Sequence, residues 1–424
     1  MSTTAARFTA IPVGQGDAFY LKTPSGSVLV DGGRAISGFA DIFARTTGAK
    51  RVDIVICTHN DADHANGVIG FLEAGLECRE VWLPGRWLGV LPHLLNPTPE
   101  ALEALAEQAQ EAKWELPRHP QQVPDIGTLF EIYGDSLALE PPGHGDERGF
   151  PPPDVHAAKV TDGWPEDLAE SLERAVWGAR REEPLGWPWD WLHWGPPYWW
   201  LEPLPYWPRD WYVWRVACED PVACALFLSA LDAGERIRRI AVAAYHRGVA
   251  VRWFEYVAAS PQGGTRWLRP LNAREVAYIP AVPTGQLFRF LALTTANRES
   301  LVFWADLDGC SGVLFTADSD LRDVDLPPNL SGAIITAPHH GSEANARAYS
   351  KVCARLGASQ PGITWVRSDG RFRERPGPTY LSTPGRRVCT MCRTGGLQPK
   401  QAVRLWMTGH GWARARGTRL CSCR

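Results

Sequence analysis

Thr58-His59-Asn60-Asp61-Ala62-Asp63-His64 is the stretch on which the reading of this chain turns. Two imidazoles and two carboxylates fall within it, directly after the β-branched run Val52-Asp53-Ile54-Val55-Ile56-Cys57 and before an apolar segment, Ala65 to Ala74. The run suits a central strand and the segment a helix. The cluster therefore sits in a strand-to-helix loop, where α/β proteins carry their ligand-bearing residues. Imidazole suits zinc, manganese or iron, and carboxylate oxygens can bridge two cations. Carboxylates gathered in a cleft repel one another and cost stability unless a cation compensates them. A solvated polar loop can hold one such cluster. It does not explain two more at predicted strand ends, Thr316-Ala317-Asp318 and Ala337-Pro338-His339-His340-Gly341.

Working outward, the N-terminal side alternates strands and turns. Phe8 to Val13 is short and apolar, Gly14-Gln15-Gly16-Asp17-Ala18 breaks it, and Phe19 to Lys22 resumes an extended pattern. Pro24-Ser25-Gly26 predicts a hairpin turn, and Ser27 to Val30 a buried strand ending at Asp31-Gly32-Gly33. Helices are predicted over Gly38 to Thr46, over 96–116 and from Asp220 to Arg247, with strands at Val81 to Leu83 and Val249 to Tyr256. Leu301 to Trp304 and Gly312 to Thr316 read as paired strands joined near Asp308-Gly309. Ala333 to Thr336 is one more strand, before a helix from Glu343 to Leu356. The order makes two successive α/β halves. Asp31 is either a turn-former before its glycines or a carboxylate that orients ligands. Asp17 is either a loop hydrogen-bonder or a site residue, and stays outside the ligand set.

His59-Asn60-Asp61-Ala62-Asp63-His64 resembles the HxHxDH motif of the metallo-β-lactamase fold, with Asp61 where many members carry the second His. Together with VGQGDA (Val13 to Ala18), LVDGG (Leu29 to Gly33), TAD (Thr316 to Asp318), PHHGS (Pro338 to Ser342) and Asn297 in an Asn-x-x-Ser element, it is similar to the soluble hydrolase domain of ComEC-type competence proteins. The resemblance implies an αββα sandwich and a hydrolase using two divalent cations, zinc, with manganese as the alternative. It implies that His59 and Asp61 hold one cation, Asp63 and His64 the other, and that Asp318 bridges them. One of His339 and His340 completes a site; the His-Gly context favours His340, with His339 behind it. Asp63 and Asp31 are the expected catalytic carboxylates, Asp31 from beneath the site. Two features depart from the pattern. No third-motif His stands between the halves, His246 reading as structural. The family's Tyr-Gly-His-Pro element is replaced by Arg371 to Pro378, without a His, so either the second cation is held more loosely or an arginine takes over a contact.

Composition limits the partners. With 424 residues, 45% hydrophobic and 21% charged, the chain is globular. A net charge of -3 excludes a generally basic surface, so nucleic acid must be held by a local patch. Arg367, Arg371, Arg373 and Arg375 offer such a run, with Asp369 and Glu374 as its potential balance. The resemblance implies a phosphodiester, and DNA in particular. A free nuclease endangers its host, so a regulatory protein partner is expected, as in a defence or conflict effector. The competing classes are hydrolysis of a small ester, lactone or phosphocholine-like molecule, and a non-catalytic metal-binding module of a larger complex.

The expected organisation is one metallo-β-lactamase-fold domain over 1–424. It carries a Trp/Pro-rich insertion or cap over 140–208, holding nine of the 20 tryptophans, and a cysteine-bearing segment over 379–424. The insertion either stacks unpaired bases or packs its own core. Cys389, Cys392, Cys421 and Cys423 form two close pairs suited to a structural zinc; reduced thiols or disulfides are the alternatives. Cys57, Cys78, Cys218, Cys224, Cys310 and Cys353 read as small core residues. No signal peptide and no long apolar span are expected, and the expected compartment is the cytoplasm.

Overall fold

The run before the cluster becomes β4 (Arg51–Ile56), with Val52, Val55 and Ile56 fully enclosed. Parallel neighbours flank it, β3 (Gly26–Val30) and β5 (Glu77–Pro84). The computed structural model describes residues 6–115, 163–180, 220–292, 297–307, 310–356, 362–368, 375–391 and 401–423. Around β4 are β1 (Arg7–Ala10), β2 (Phe19–Thr23), β6 (Ala250–Tyr256), β8 (Ala273–Val276), β14 (Val403–Thr408) and β15 (Gly411–Arg414), in the order β15-β14-β1-β2-β3-β4-β5-β6-β8. A six-stranded sheet combines β7 (Leu268–Pro270), β9 (Phe303–Leu307), β10 (Cys310–Phe315), β11 (Ile334–Thr336), β12 (Thr364–Arg367) and β13 (Arg386–Cys389), in the order β13-β12-β11-β10-β9-β7.

The alternation along these strands sorts residues into layers. Phe8, Phe19, Ile54, Ile56, Trp82 and Phe254 of the first sheet share one core with Val313, Phe315, Ile334 and Val366 of the second. The ring centroids of Phe8, Phe19 and Phe315 lie 5.8 to 6.4 Å apart. Residues of opposite parity, Leu314, Ile335 and Trp365, pack with Ala348, Tyr349 and Val352 of the helix Ala346–Leu356. On the other side Tyr20 meets Phe43 of α1 (Phe39–Thr47), which meets Phe71 of α2 (Ala62–Glu73). The result is a helix–sheet–sheet–helix sandwich, the αββα architecture. Each large apolar side chain buried in it contributes about 1.5–3 kcal/mol.

α2 starts a turn earlier than its apolar pattern. Asp61 caps it, its carboxylate accepting the Ala62 N–H and its carbonyl the N–H groups of His64 and Ala65. Asp63 and His64 therefore ride on the first helical turn, not in a loop. The helix also presses on the Asp31-Gly32-Gly33 turn, where a Cβ on Gly67 would lie 1.9 Å from the Gly32 oxygen. Two backbone bonds of 2.9 Å, Gly32 N–H to His64 O and Gly67 N–H to Gly33 O, seal that approach. The strand expected from Leu301 starts at Phe303, because Leu301 N–H goes to Thr58 O and Val302 N–H to the Asn272 side chain.

By contacts the chain divides into two compact units. One is Met1–Trp87, Val249–Ile279 and Ala296–Arg424, which contains both sheets. The segment 379–424 contributes β13 to one sheet and β14 and β15 to the other. The second unit is Leu88–Gly248 with Pro280–Thr295. It is helical where described: α3 (Trp87–Leu95), α4 (Pro99–Glu115), Glu166–Arg180 and Pro221–His246, the last capped by Asp220 and ending on His246. Asn96 donates to Ser171, and Gln108 ties α4 to Thr284 O and Phe288 N–H. Of the expected Trp/Pro-rich stretch, 140–162 and 181–208 lie outside the described residues. Of the cysteines read as core, Cys57 is buried, whereas Cys78, Cys224 and Cys353 are half-buried. Among the described residues no helix is long and apolar enough to cross a membrane.

Candidate metal centre

The ends of β3, β4, β10, β11 and β12 deliver polar side chains to one place, as open α/β sheets do at their carboxyl ends. Asp31 follows β3 and is buried. Its Oδ1 accepts the Thr58 N–H, and its Oδ2 accepts the Thr58 hydroxyl and His64 Nδ1, each at 2.8 Å. With Nδ1 so engaged, His64 turns Nε2 inward, 3.1 Å from Asp318 Oδ1 and 3.3 Å from His340 Nε2. His340 is built the same way. Its Nδ1 lies 3.0 Å from Asp17 Oδ1, and its Nε2 is 3.2 Å from Asp63 Oδ2. Two carboxylates thus fix the tautomer of two facing imidazoles, the carboxylate–histidine arrangement that supports metal ligation.

A second group adjoins the first. Donor atoms of His59, Asp61 and Asp318 lie within 4.8 Å of one another, and so do those of Asp17, His64, Asp318 and His340. Asp318 belongs to both. Thr58 Oγ1 sits 2.9 Å from His59 Nδ1, and His59 Nε2 faces Asp318 Oδ2 at 3.8 Å. Among the described residues, His59 Nε2 and Asp17 Oδ2 are buried atoms without a hydrogen-bond partner. Such atoms are costly unless a ligand uses them. Imidazole nitrogens and carboxylate oxygens with unused lone pairs, gathered in a buried pocket, fit one or two divalent cations.

The electrostatics express the same demand for positive charge. Burial opposes the charged form of His64, but Asp318 and Asp31 outweigh it and hold its pKa well above the ordinary 6.5. Burial likewise disfavours charge on His340, yet Asp17 and Asp318 raise it to about 10. Asp318 is held well below the usual carboxylate range against its own burial, by His339, His64 and His340. His59 is pushed down to about 3 by burial and by His64, so it presents a neutral, ligand-ready imidazole.

The loop after β11 carries the two adjacent histidines in different roles. Asn345 Nδ2 donates to the Asp318 carbonyl, leaving its Oδ1 as the acceptor for His339 Nδ1 at 3.1 Å. His339 Nε2 is then an acceptor, and Arg375 Nη2 lies 2.6 Å from it. His340 thus faces both Asp63 and Asp318, while His339 Nε2 accepts from Arg375 and stands 3.4 Å from Asp318 Oδ2. Asp31, Ala317, His339 and His340 all adopt left-handed φ, from 46° to 57°. Each costs on the order of 1 kcal/mol and persists because neighbours over-determine it. His339 N–H bonds to Ala317 O, Tyr349 OH to Pro338 O, and Arg367 Nε to His340 O at 2.7 Å.

Comparison with known families adds one finding. Residues 11–76 match the metallo-beta-lactamase superfamily. No curated protein matched the chain. The matched stretch contains Asp17, Asp31 and the cluster from His59 to His64, while Asp318, His339 and His340 reach the same centre from beyond it. Superfamily match and buried donor set together support a metal-dependent hydrolase.

The structure thus brings together His59, Asp61, Asp63, His64, Asp318 and His340, with Asp31 beneath His64 and His339 beside Arg375. Arg371 and Arg373 lie outside the described residues, as does Cys392; Cys389, Cys421 and Cys423 come together elsewhere. Asp17 is the residue that the sequence reading left out. Its signal is the glycine before it: a Cβ on Gly16 would strike the Asp63 oxygen, and Asp17 N–H bonds to that same oxygen at 3.0 Å.

Proposed function

We propose that this chain hydrolyses phosphodiesters with two divalent cations, zinc or manganese, and that DNA is its substrate. The observation that carries the reading is Asp318, shared by two donor groups, with Arg375 next to the His339 that contacts it. Two cations in such a site supply an acidified water at neutral pH and a clamp for substrate oxygens. His59 and Asp61 form one ligand group and Asp63, His64 and His340 the other, with Asp318 common to both. Asp31 and Asp17 act through His64 and His340, holding each ring so that Nε2 serves as the donor. The guanidinium of Arg375 fits the paired oxygens of a phosphodiester, which a lactone or thioester does not offer. The motif resemblance supports DNA, and control by a protein partner belongs to the same reading.

The test uses the full chain with zinc, manganese or magnesium, against DNA, bis-p-nitrophenyl phosphate, a lactone and a thioester. DNA cleavage should weaken with salt, and Arg375→Ala, alone or with Arg371→Ala and Arg373→Ala, should flatten that dependence by releasing fewer counterions. The small diester should be turned over nearly as before. Turnover of the lactone or thioester with no diester cleaved would overturn the phosphodiesterase reading and leave the hydrolase.

A further inference from the structure

The C-terminal cysteines meet at the end of β13. Sγ atoms of Cys389, Cys421 and Cys423 lie within 4.8 Å of one another, close to the roughly 3.8 Å expected for thiolates around a tetrahedral zinc. Backbone pairing holds the geometry, since Cys421 N–H bonds to Arg387 O two residues before Cys389. Cys389 Sγ accepts from Met391 N–H at 3.2 Å and from Arg367 Nη1 at 3.4 Å, and the same Nη1 is 4.0 Å from Cys423 Sγ. Arg367 is only 2% exposed, so its charge demands anionic partners. Three thiolates, one divalent cation and one guanidinium sum to zero.

Arg367 also reaches the other way. Its Nε donates to the carbonyl of His340, whose left-handed backbone aims the ring at the histidine–carboxylate centre. We propose that Cys389, Cys421 and Cys423 form a second metal site, for zinc, and that Arg367 ties it to the His340 loop, so that the thiolate site sets the cation affinity of the first centre. Arg367 is a positioning residue: it touches a sulfur ligand with one nitrogen and the backbone of a histidine ligand with another. The coupling rests on the ligand role proposed above for His340; the thiolate site does not.

Two probes separate the sites. Cobalt(II) bound by thiolates gives a ligand-to-metal charge-transfer absorption that imidazole and carboxylate ligands do not. Manganese(II) prefers oxygen and imidazole donors and so reports on the histidine–carboxylate centre alone. Reduced full-length protein loaded with cobalt should show the charge-transfer band, and Cys389→Ser with Cys421→Ser should abolish it. Zinc should also protect these cysteines of the wild-type chain from alkylation until a chelator is added, a readout that needs no variant to fold. Arg367→Lys keeps a charge but loses the fork that spans both acceptors. It should retain the cobalt band and bind manganese about 10-fold more weakly, the usual scale for losing a residue that orients a ligand. A wild-type cobalt protein without the band, or thiols alkylated equally with and without zinc, would overturn the thiolate site. Manganese affinity unchanged in Arg367→Lys would overturn the coupling. Wild-type protein that binds no manganese would count against the histidine–carboxylate centre and the coupling together, while the cobalt band would still stand for the cysteines.

Discussion

Replacing Asp17 by asparagine isolates the carboxylate that the sequence leaves open between a loop hydrogen-bonder and a site residue. Asp17 Oδ1 accepts the Nδ1 proton of His340 at 3.0 Å, and an amide oxygen in the same place still accepts it, so the ring keeps its direction. What is lost is the charge. A hydrogen bond to a charged group contributes about 1.5–3 kcal/mol and a neutral one about 0.5–1.5, so the substitution removes about 1.2 kcal/mol from His340 as a ligand. That corresponds to roughly tenfold weaker cation binding. Stability of the zinc-loaded protein should change little, because the cation then stands in for the His340 proton that Asp17 favours. Competition for zinc against a chromogenic chelator near neutral pH measures the affinity, and a thermal melt checks the fold. A folded variant with wild-type affinity would refute the argument. A loss far beyond about 100-fold would place Asp17 among the ligands themselves, because orienting residues usually cost 10–100-fold.

Asp63→Asn should lower hydrolysis by at least about 100-fold while the melting temperature stays near wild type, since its carboxylate faces His340 Nε2 and not the core; steady-state assays on bis-p-nitrophenyl phosphate decide this. Metal-free protein should lose stability as pH rises from about 6.5 to about 10. The folded pKa of His340 lies above its ordinary value, so its contribution is complete below that ordinary value and vanishes through the raised one. Melts with excess zinc should be flatter over that window, because a cation replaces the proton; a metal-free protein that gains stability there would contradict the sign. Gly67→Ala should destabilise by about 2 kcal/mol or more in chemical denaturation, because its Cβ would lie 1.9 Å from the Gly32 oxygen.

Much of this was legible because periodicity and punctuation are local. Val52 to Cys57 reads as a strand and becomes β4; Asp31-Gly32-Gly33 reads as a strand end and is one. What escaped was set by tertiary approach. The first turn of α2 was hidden because Asp61 caps the helix four residues before the apolar pattern begins. Asp17 was hidden because its value depends on His340, 323 positions away, and nothing in Gly14 to Ala18 alone names that partner. The division of labour between His339 and His340 follows from an Asn345 amide and an Arg375 guanidinium that no motif specifies. The metallo-beta-lactamase match ends at residue 76, so the second half of the centre rests on the geometry that folding imposes.

The most direct test of the central claim is manganese(II) titration of metal-free protein followed by electron paramagnetic resonance. Asp318 is common to both donor groups, so filling both sites should give a spin-coupled pair of ions. Asp318→Ala should collapse that signal to isolated, weakly bound manganese and remove hydrolysis with it. A wild-type spectrum that shows only uncoupled manganese at saturation, or a coupled signal that survives Asp318→Ala, would contradict a two-cation centre built on this carboxylate.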